Sequence, residues 1–260
     1  MLAPWIISHF PAHRCYVEPF GGGGSVLLRK DRSYAEIYND LDGEIVNLFR
    51  VAREDGERLA QLVELTPFSR EEFKQSYQPD ECPLEQARRT LTRSFMGFGS
   101  NGYNMATGFR SNVTRSGSTP VHDWMNYPDA LRATIQRMRG VVIENKDAVE
   151  CMKTHDAATT LHYVDPPYVF STRSDLRHDY RHEMEDVDHE EMALDLKKLI
   201  GMVCVSGYRS DLYDRIFAGW MRVDRKAKAD GASERVESLW LSDNCVVQQS
   251  LLTDYSRPAI

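Results

Sequence analysis

Short runs of nearly unbroken apolar residues, each too brief for a helix, recur at both ends of this 260-residue chain. They restrict its fold more than any other feature. Leu161–Asp165 and Met202–Ser206 are the clearest and Val141–Glu144 reads alike, while Cys15–Pro19 is a further short strand and Tyr34–Asn39 an alternating one. Such runs suit strands covered on both faces, as in a parallel sheet between helices. Helical periodicity fills the intervals: Glu44–Arg50 onward, Glu57–Leu65, Arg70–Tyr77, Pro83–Phe95, Tyr127–Met138, Asp147–His155 and Asp188–Leu199. A further helix is expected to open at Ser25. Two late segments, Trp220–Arg225 and Glu237–Ser242, predict an antiparallel closing hairpin. Met96–Thr119 is rich in Gly, Ser, Thr and Asn and has no helical period, so it reads as loop or hairpin. The pattern predicts an α/β doubly wound sheet, mostly parallel, with a core of residues 1–65 and 140–260 and an insertion over 66–139.

Composition excludes several classes. Five cysteines without a C-x-x-C spacing argue against a disulfide framework or a zinc ribbon and suit a reducing cytoplasm. No run approaches the ~18 apolar residues of a membrane span, and no signal peptide is expected. The net charge of −7 and pI near 5.6 discourage a nucleic-acid partner until they are resolved by segment. Residues 86–122 hold Arg88, Arg89, Arg93, Arg110 and Arg115 and no acid, whereas residues 183–195 hold seven acids and no Lys or Arg. An acid-free basic stretch inside the insertion suits phosphate contact; a solvated basic face is the plain alternative. The acidic run reads as a loop and the solvated first turn of a helix.

Two motifs carry chemistry. Glu18-Pro19-Phe20-Gly21-Gly22-Gly23-Gly24 follows a strand, and its glycines let backbone approach a ligand closely. Asp40 ends the next strand, where a carboxylate commonly meets ribose hydroxyls. Together they suggest an adenosine-bearing cofactor, with a tight turn as the alternative; no Gly-Lys-Ser/Thr follows, which disfavours a phosphate-cradling loop. The second motif is Asp165-Pro166-Pro167-Tyr168 at the end of an apolar strand. The prolines surrender two N–H donors. A carboxylate, donor-free carbonyls and an aromatic ring suit a planar group bearing an amino; a strand-terminating turn is the alternative.

Phe20-x-Gly22-x-Gly24 and Asp165-Pro166-Pro167-Tyr168, in this order, resemble the signature pair of S-adenosylmethionine-dependent DNA methyltransferases of the Dam-like adenine-N6 family. Asn101-Gly102-Tyr103-Asn104 followed by Phe109-Arg110-x-Asn112 resembles that family's DNA-contacting loop. The resemblance runs from about Tyr16 to Leu241. It implies a Rossmann-like methyltransferase sheet with a DNA-recognition insertion. It further implies that Phe20, Gly22 and Gly24 flank S-adenosylmethionine, Asp40 holds its ribose, and Asp165 lies where cofactor and target base meet. Asp165, Pro166, Pro167 and Tyr168 become the catalytic candidates, and Tyr103, Asn104, Arg110, Asn112, Arg88 and Arg93 the DNA-binding ones. Asp147 is a further candidate for the cofactor's adenine, or else a helix N-cap. The implied partner is double-stranded DNA, met by a monomer in the cytoplasm of a bacterial or phage-infected cell, with no membrane and no metal.

Other features are weighed and set aside. His178 and His182 stand four apart with His189 nearby, but Glu183 does not complete H-E-x-x-H, so no metal is expected. Cys204 reads as core. Ser206-Gly207-Tyr208 reads as either packing or substrate-edge lining. The family's usual opening Lys-aromatic-x-Gly-Gly/Ala-Lys segment has no counterpart here, so either the chain begins downstream of it or cofactor binds without it. Two other functions fit the same fold: methylation of cytosine N4, RNA or a protein glutamine, and a DNA-binding relic without activity.

Overall fold

The computed structural model describes residues 2–98, 107–111, 119–172, 181–228 and 234–246. The chain divides into two compact units. The first comprises Met1–Leu41, Glu144–His178 and His182–Ile260. After a short helix α1 (Ala3–Ile7), the chain enters β1 (Cys15–Glu18) and β2 (Ala35–Asn39). β3 (Val142–Glu144), α7 (Ala148–Thr154), β4 (Thr160–Val164), α8 (Asp186–Leu196), β5 (Met202–Tyr208) and α9 (Asp211–Ile216) follow later, then β6 (Met221–Lys228) and β7 (Glu234–Leu241). The seven strands run in the order β3-β2-β1-β4-β5-β7-β6. β1 pairs in parallel with both β2 and β4, and β4 with β5, while β7 is antiparallel to β5 and to β6. The hairpin therefore closes a mostly parallel sheet, as the apolar runs predict.

Every residue of β4 is buried, which explains why its sequence lacks alternation. Val17, Ile37, Val164, Val203 and Val205 pack with Met192, Leu196, Phe217 and Trp240 in one core. The order of the strands positions the chemistry. From β1 the chain moves outward to β2 and β3, then returns to the other side of β1 as β4. The carboxyl ends of β1 and β4 consequently lie side by side where the winding reverses, and in open α/β sheets ligands bind at such a reversal.

One expected helix is absent. Residues 22–30 form successive turns rather than the helix expected from Ser25. The amide of Leu27, which a helix would give to the carbonyl four residues back, goes instead to the Glu18 carboxylate at 2.9 Å. Bonds of helical spacing survive at Leu28 to Gly24 (2.9 Å) and Lys30 to Val26 (3.0 Å), too few to propagate a helix. The glycine loop thus presents its own backbone, not a helix N-terminus.

The second unit, Asp42–Ile143 with Asp179–Arg181, is helical apart from the first two residues of β3. It contains α2 (Gly43–Glu54), α3 (Gly56–Leu65), α4 (Arg70–Gln75), α5 (Pro83–Met96) and α6 (Pro120–Met138). Leu48 and Val51 of α2 and Leu59 and Val63 of α3 share a core with Phe73, Leu91, Met96, Trp124 and Leu131. This compact unit begins at Asp42. α6 starts seven residues before the periodic segment at Tyr127. Thr119 caps it by accepting from the His122 amide, and Pro120 occupies its first turn, where no donor is needed.

Candidate active site

The glycine loop after β1 is shaped by its neighbour strand. Gly21 takes a bond from its own amide to the Asn39 carbonyl (2.8 Å) and lies flat against Tyr38, whose ring would stand 2.2 Å from any added Cβ. The Tyr38 hydroxyl donates to the Gly22 carbonyl at 2.6 Å, and the Gly22 amide donates to Asp40 Oδ2 at 2.7 Å. Gly22 and Gly24 have φ of +48° and +62°, which side chains rarely tolerate. Added Cβ atoms on Gly22 and Gly23 would meet nothing within 4 Å. Open space over a side-chain-free backbone, flanked by Phe20 and the Asp40 carboxylate, fits a nucleoside cofactor. Phe20 itself is partly buried against the sheet core.

Asn39, which no sequence motif marks, is buried and binds these loops together. Its amide nitrogen donates to the Pro19 carbonyl (2.9 Å) and the Lys146 carbonyl (3.0 Å), and its oxygen accepts from the Lys146 amide (3.0 Å). Asn145 adds bonds to the carbonyls of Asp40 (2.7 Å) and Leu41 (3.1 Å). The loops after β1, β2 and β3 are therefore one hydrogen-bonded piece. Asp147 caps α7, accepting from the Glu150 amide at 3.0 Å, which is the cap alternative of the sequence reading.

Glu18, the last residue of β1, is buried and accepts from Tyr16 Oη (2.8 Å) as well as from the Leu27 amide. Burial pushes its carboxyl up to about 8 despite those two donors. The only trace of this in the sequence is an acid directly before Pro-Phe-Gly.

Asp165 stands at the end of β4, and burial raises its carboxyl above the ordinary aspartate range. Ser206 Oγ donates to its Oδ1 at 2.6 Å, and Tyr163 Oη lies 3.0 Å from the same Oγ. Pro166 is buried, whereas Pro167 and Tyr168 are partly accessible. The Tyr168 ring packs on Tyr208, with centroids 4.5 Å apart and planes at 35°. Beside Tyr208 opens a cleft of about 670 Å³ lined by Ser171, Thr172, Arg209, Ser210 and Arg215. Cys204 is fully buried in β5, consistent with a core role.

The DNA-binding candidates fare differently. Tyr103, Asn104 and Asn112 lie outside the described residues. Arg110 is partly accessible and donates to the Phe95 carbonyl at 3.1 Å. Arg88 and Arg93 are engaged within the helical unit. Arg93 is 5% exposed and is paired with Glu44, with a further bond to the Ser76 carbonyl at 2.9 Å. Arg88 is engaged by Glu85 (2.7 Å) and Glu72 (2.8 Å), and Arg89 by Glu85 (2.8 Å) and Asp80 (2.9 Å). The acids that neutralise these arginines lie outside the acid-free window, so charge counted along the chain overstates a basic face.

Of the histidines considered for metal, His178 lies outside the described residues, and buried His189 bonds Tyr213 Oη at 3.1 Å through Nδ1. Glu144, Cys151 and His155 place ligand-type atoms within 4.8 Å of one another. The Glu144 carboxylate already pairs with His155 (2.7 Å) and Lys146, and burial pushes the Cys151 thiol up to about 12. Among the described residues no helix is long and apolar enough to cross a membrane.

A search of curated proteins finds no match. Comparison with protein families gives a definite result: residues 1–229 match the D12 class N6 adenine-specific DNA methyltransferases. The match spans both the glycine loop and Asp165-Pro166-Pro167-Tyr168, the two segments that the sheet brings to adjacent strand ends. The chain therefore belongs to the D12 class N6 adenine-specific DNA methyltransferases and transfers a methyl group from S-adenosylmethionine to adenine N6 in DNA.

Proposed function

We propose that Asp165, Pro166, Pro167 and Tyr168 receive the target adenine, and that Phe20, Gly22, Gly24 and Asp40 hold S-adenosylmethionine, with Asp165 at the junction. The observation that carries this reading is the adjacency of β1 and β4, which end in the two motifs at the reversal of the sheet. When bound, the cofactor supplies a methyl group made electrophilic by positively charged sulfur. Adenine N6 is a poor nucleophile because its lone pair is delocalised into the ring. Asp165 and the Pro166 carbonyl, as acceptors for the two amino hydrogens, favour a pyramidal nitrogen and concentrate the lone pair on it. Catalysis is then positioning and electrostatics. Asp165 must be ionised to serve, and its raised pKa places the loss of activity on acidification above the ordinary aspartate range.

The amino group is inaccessible inside a duplex, so the base must leave the stack at a cost of a few kcal/mol. Stacking on Tyr168 returns about 1–3 kcal/mol of this. The substrate is double-stranded DNA, bound by a monomer through residues 66–139, with Tyr103, Asn104, Arg110 and Asn112 in contact. The setting is the cytoplasm of a bacterial or phage-infected cell. Transfer of tritiated methyl to unmethylated DNA, followed by nucleoside analysis, tests the reading. Label is expected in N6-methyl-2′-deoxyadenosine, and Asp165→Ala is expected to lose at least about 10²- to 10³-fold in kcat. Wild-type kcat in that variant would refute the assignment.

A further inference from the structure

We propose that Ser206 is a positioning residue for methyl transfer: its hydroxyl, held by Tyr163, fixes the Asp165 carboxylate in the orientation that grips the adenine amino group. The inference rests on the reading above, in which Asp165 meets N6.

β4 and β5 are parallel, with Tyr163 opposite Cys204 and Val164 opposite Val205. One further step along that register sets Asp165 beside Ser206, and Ser206 Oγ lies 2.6 Å from Asp165 Oδ1. A serine hydroxyl has one hydrogen, and an ionised carboxylate can only accept. Ser206 therefore donates to Asp165, and Tyr163 Oη, 3.0 Å from Ser206 Oγ, also bonds the Asp165 carboxylate. The result is a Tyr163–Ser206–Asp165 cluster in which both hydroxyls meet the carboxylate and its bonds reinforce one another, Ser206 at 2.6 Å. Ser206 is 4% and Tyr163 1% exposed, so water has little access to replace either donor.

The shelf that carries Ser206 is itself fixed. β7 pairs Leu239 with Ser206 and Ser238 with Gly207, and Gly207 lies against Tyr213, whose ring would stand 3.1 Å from an added Cβ. With Oδ1 engaged by Ser206, the grip on an amino hydrogen falls to Oδ2. Loss of the donor would free the carboxylate to rotate and make its ionisation harder in a buried setting.

The test compares Ser206→Ala, Ser206→Thr, Tyr163→Phe, the Ser206→Ala/Tyr163→Phe double variant and Asp165→Ala in the full chain. kcat is measured against pH, with the KM for DNA and cofactor affinity by calorimetry. Ser206→Ala is expected to lower kcat about 10- to 100-fold with little change in KM, and to move the acid limb of kcat to higher pH. Ser206→Thr, which keeps the hydroxyl on a residue suited to a strand, restores the limb. Tyr163→Phe moves it the same way, and moves it further in the Ser206→Ala background, because Tyr163 also bonds Asp165. An unmoved limb in Ser206→Ala, whether kcat holds or falls, overturns the inference. If Asp165→Ala is inactive in that case, only the role of Ser206 fails. If Asp165→Ala retains wild-type kcat, the underlying site assignment fails with it.

Discussion

Carboxylates are wholly or partly withdrawn from solvent in both units of this methyltransferase, and the two units treat them in opposite ways. At the sheet end, Glu18 and Asp165 are met by neutral donors: Tyr16 and the Leu27 amide in one case, Ser206 and Tyr163 in the other. Burial outweighs those bonds and both groups titrate above their ordinary values. In the helical unit, burial also pushes Glu44 upward, but Arg181, Arg93 and Thr90 outweigh it and hold the group below its ordinary value. Glu85 is lowered chiefly by Arg88, then by Arg89. Full charge partners turn a carboxylate into a fixed strut. Neutral donors leave it able to change protonation state near working pH, a property useful at an active site and costly to stability elsewhere.

The contrast can be broken most forcefully at Glu44. Glu44→Gln withdraws the carboxylate shared by Arg93 and Arg181 and is expected to destabilise the protein by about 3 kcal/mol, read from urea unfolding. A loss near zero would show that the network is not a strut. The pH dependences of the two carboxylates have opposite signs. Glu44 has a lowered folded pKa, so its contribution is present above the unfolded value near 4.5 and is lost as pH falls. Glu18 has a raised one, so its contribution is present below about 4.5 and is lost as pH rises to about 8. Glu18→Gln should therefore flatten the decline in stability between these limits by an amount on the order of a few kcal/mol. Parallel curves for variant and wild type in unfolding from pH 5 to 9 would contradict the raised pKa. The smallest effect sharpens the DNA side of the comparison. Arg110→Ala is expected to reduce the salt dependence of DNA binding by about one counterion, while Arg88→Gln, already engaged by acids, leaves the slope unchanged.

What the sequence disclosed depended on how far along the chain each feature reached. Strands of unbroken apolar residues and the closing hairpin are local patterns, and they are where the reading places them to within a few residues. The glycine loop and Asp165-Pro166-Pro167-Tyr168 are contiguous motifs and stand out for the same reason. Ser206 stayed undecided because its partner is 41 residues away on the neighbouring strand. Glu18 left only the trace of an acid before Pro-Phe-Gly because its significance lies in Leu27, nine residues on, whose amide it takes from the expected helix. The arginines of α5 misled in a related manner. Glu85 stands one residue outside the window that looked acid-free, and Glu44 stands 49 residues from Arg93. Contacts across elements decide charge and protonation, and a linear pattern does not contain them.

The buried amide of Asn39 has a consequence for how a ligand is received. One side chain at the end of β2 ties together the segments that follow β1 and β3 and uses both its donor and its acceptor functions to do so. Segments tied in this way lose their independent motion when the chain folds, so a nucleoside arriving at the strand ends does not have to restrain them. The entropy of arranging the receptor is removed from the binding step, and affinity there reflects contacts rather than ordering.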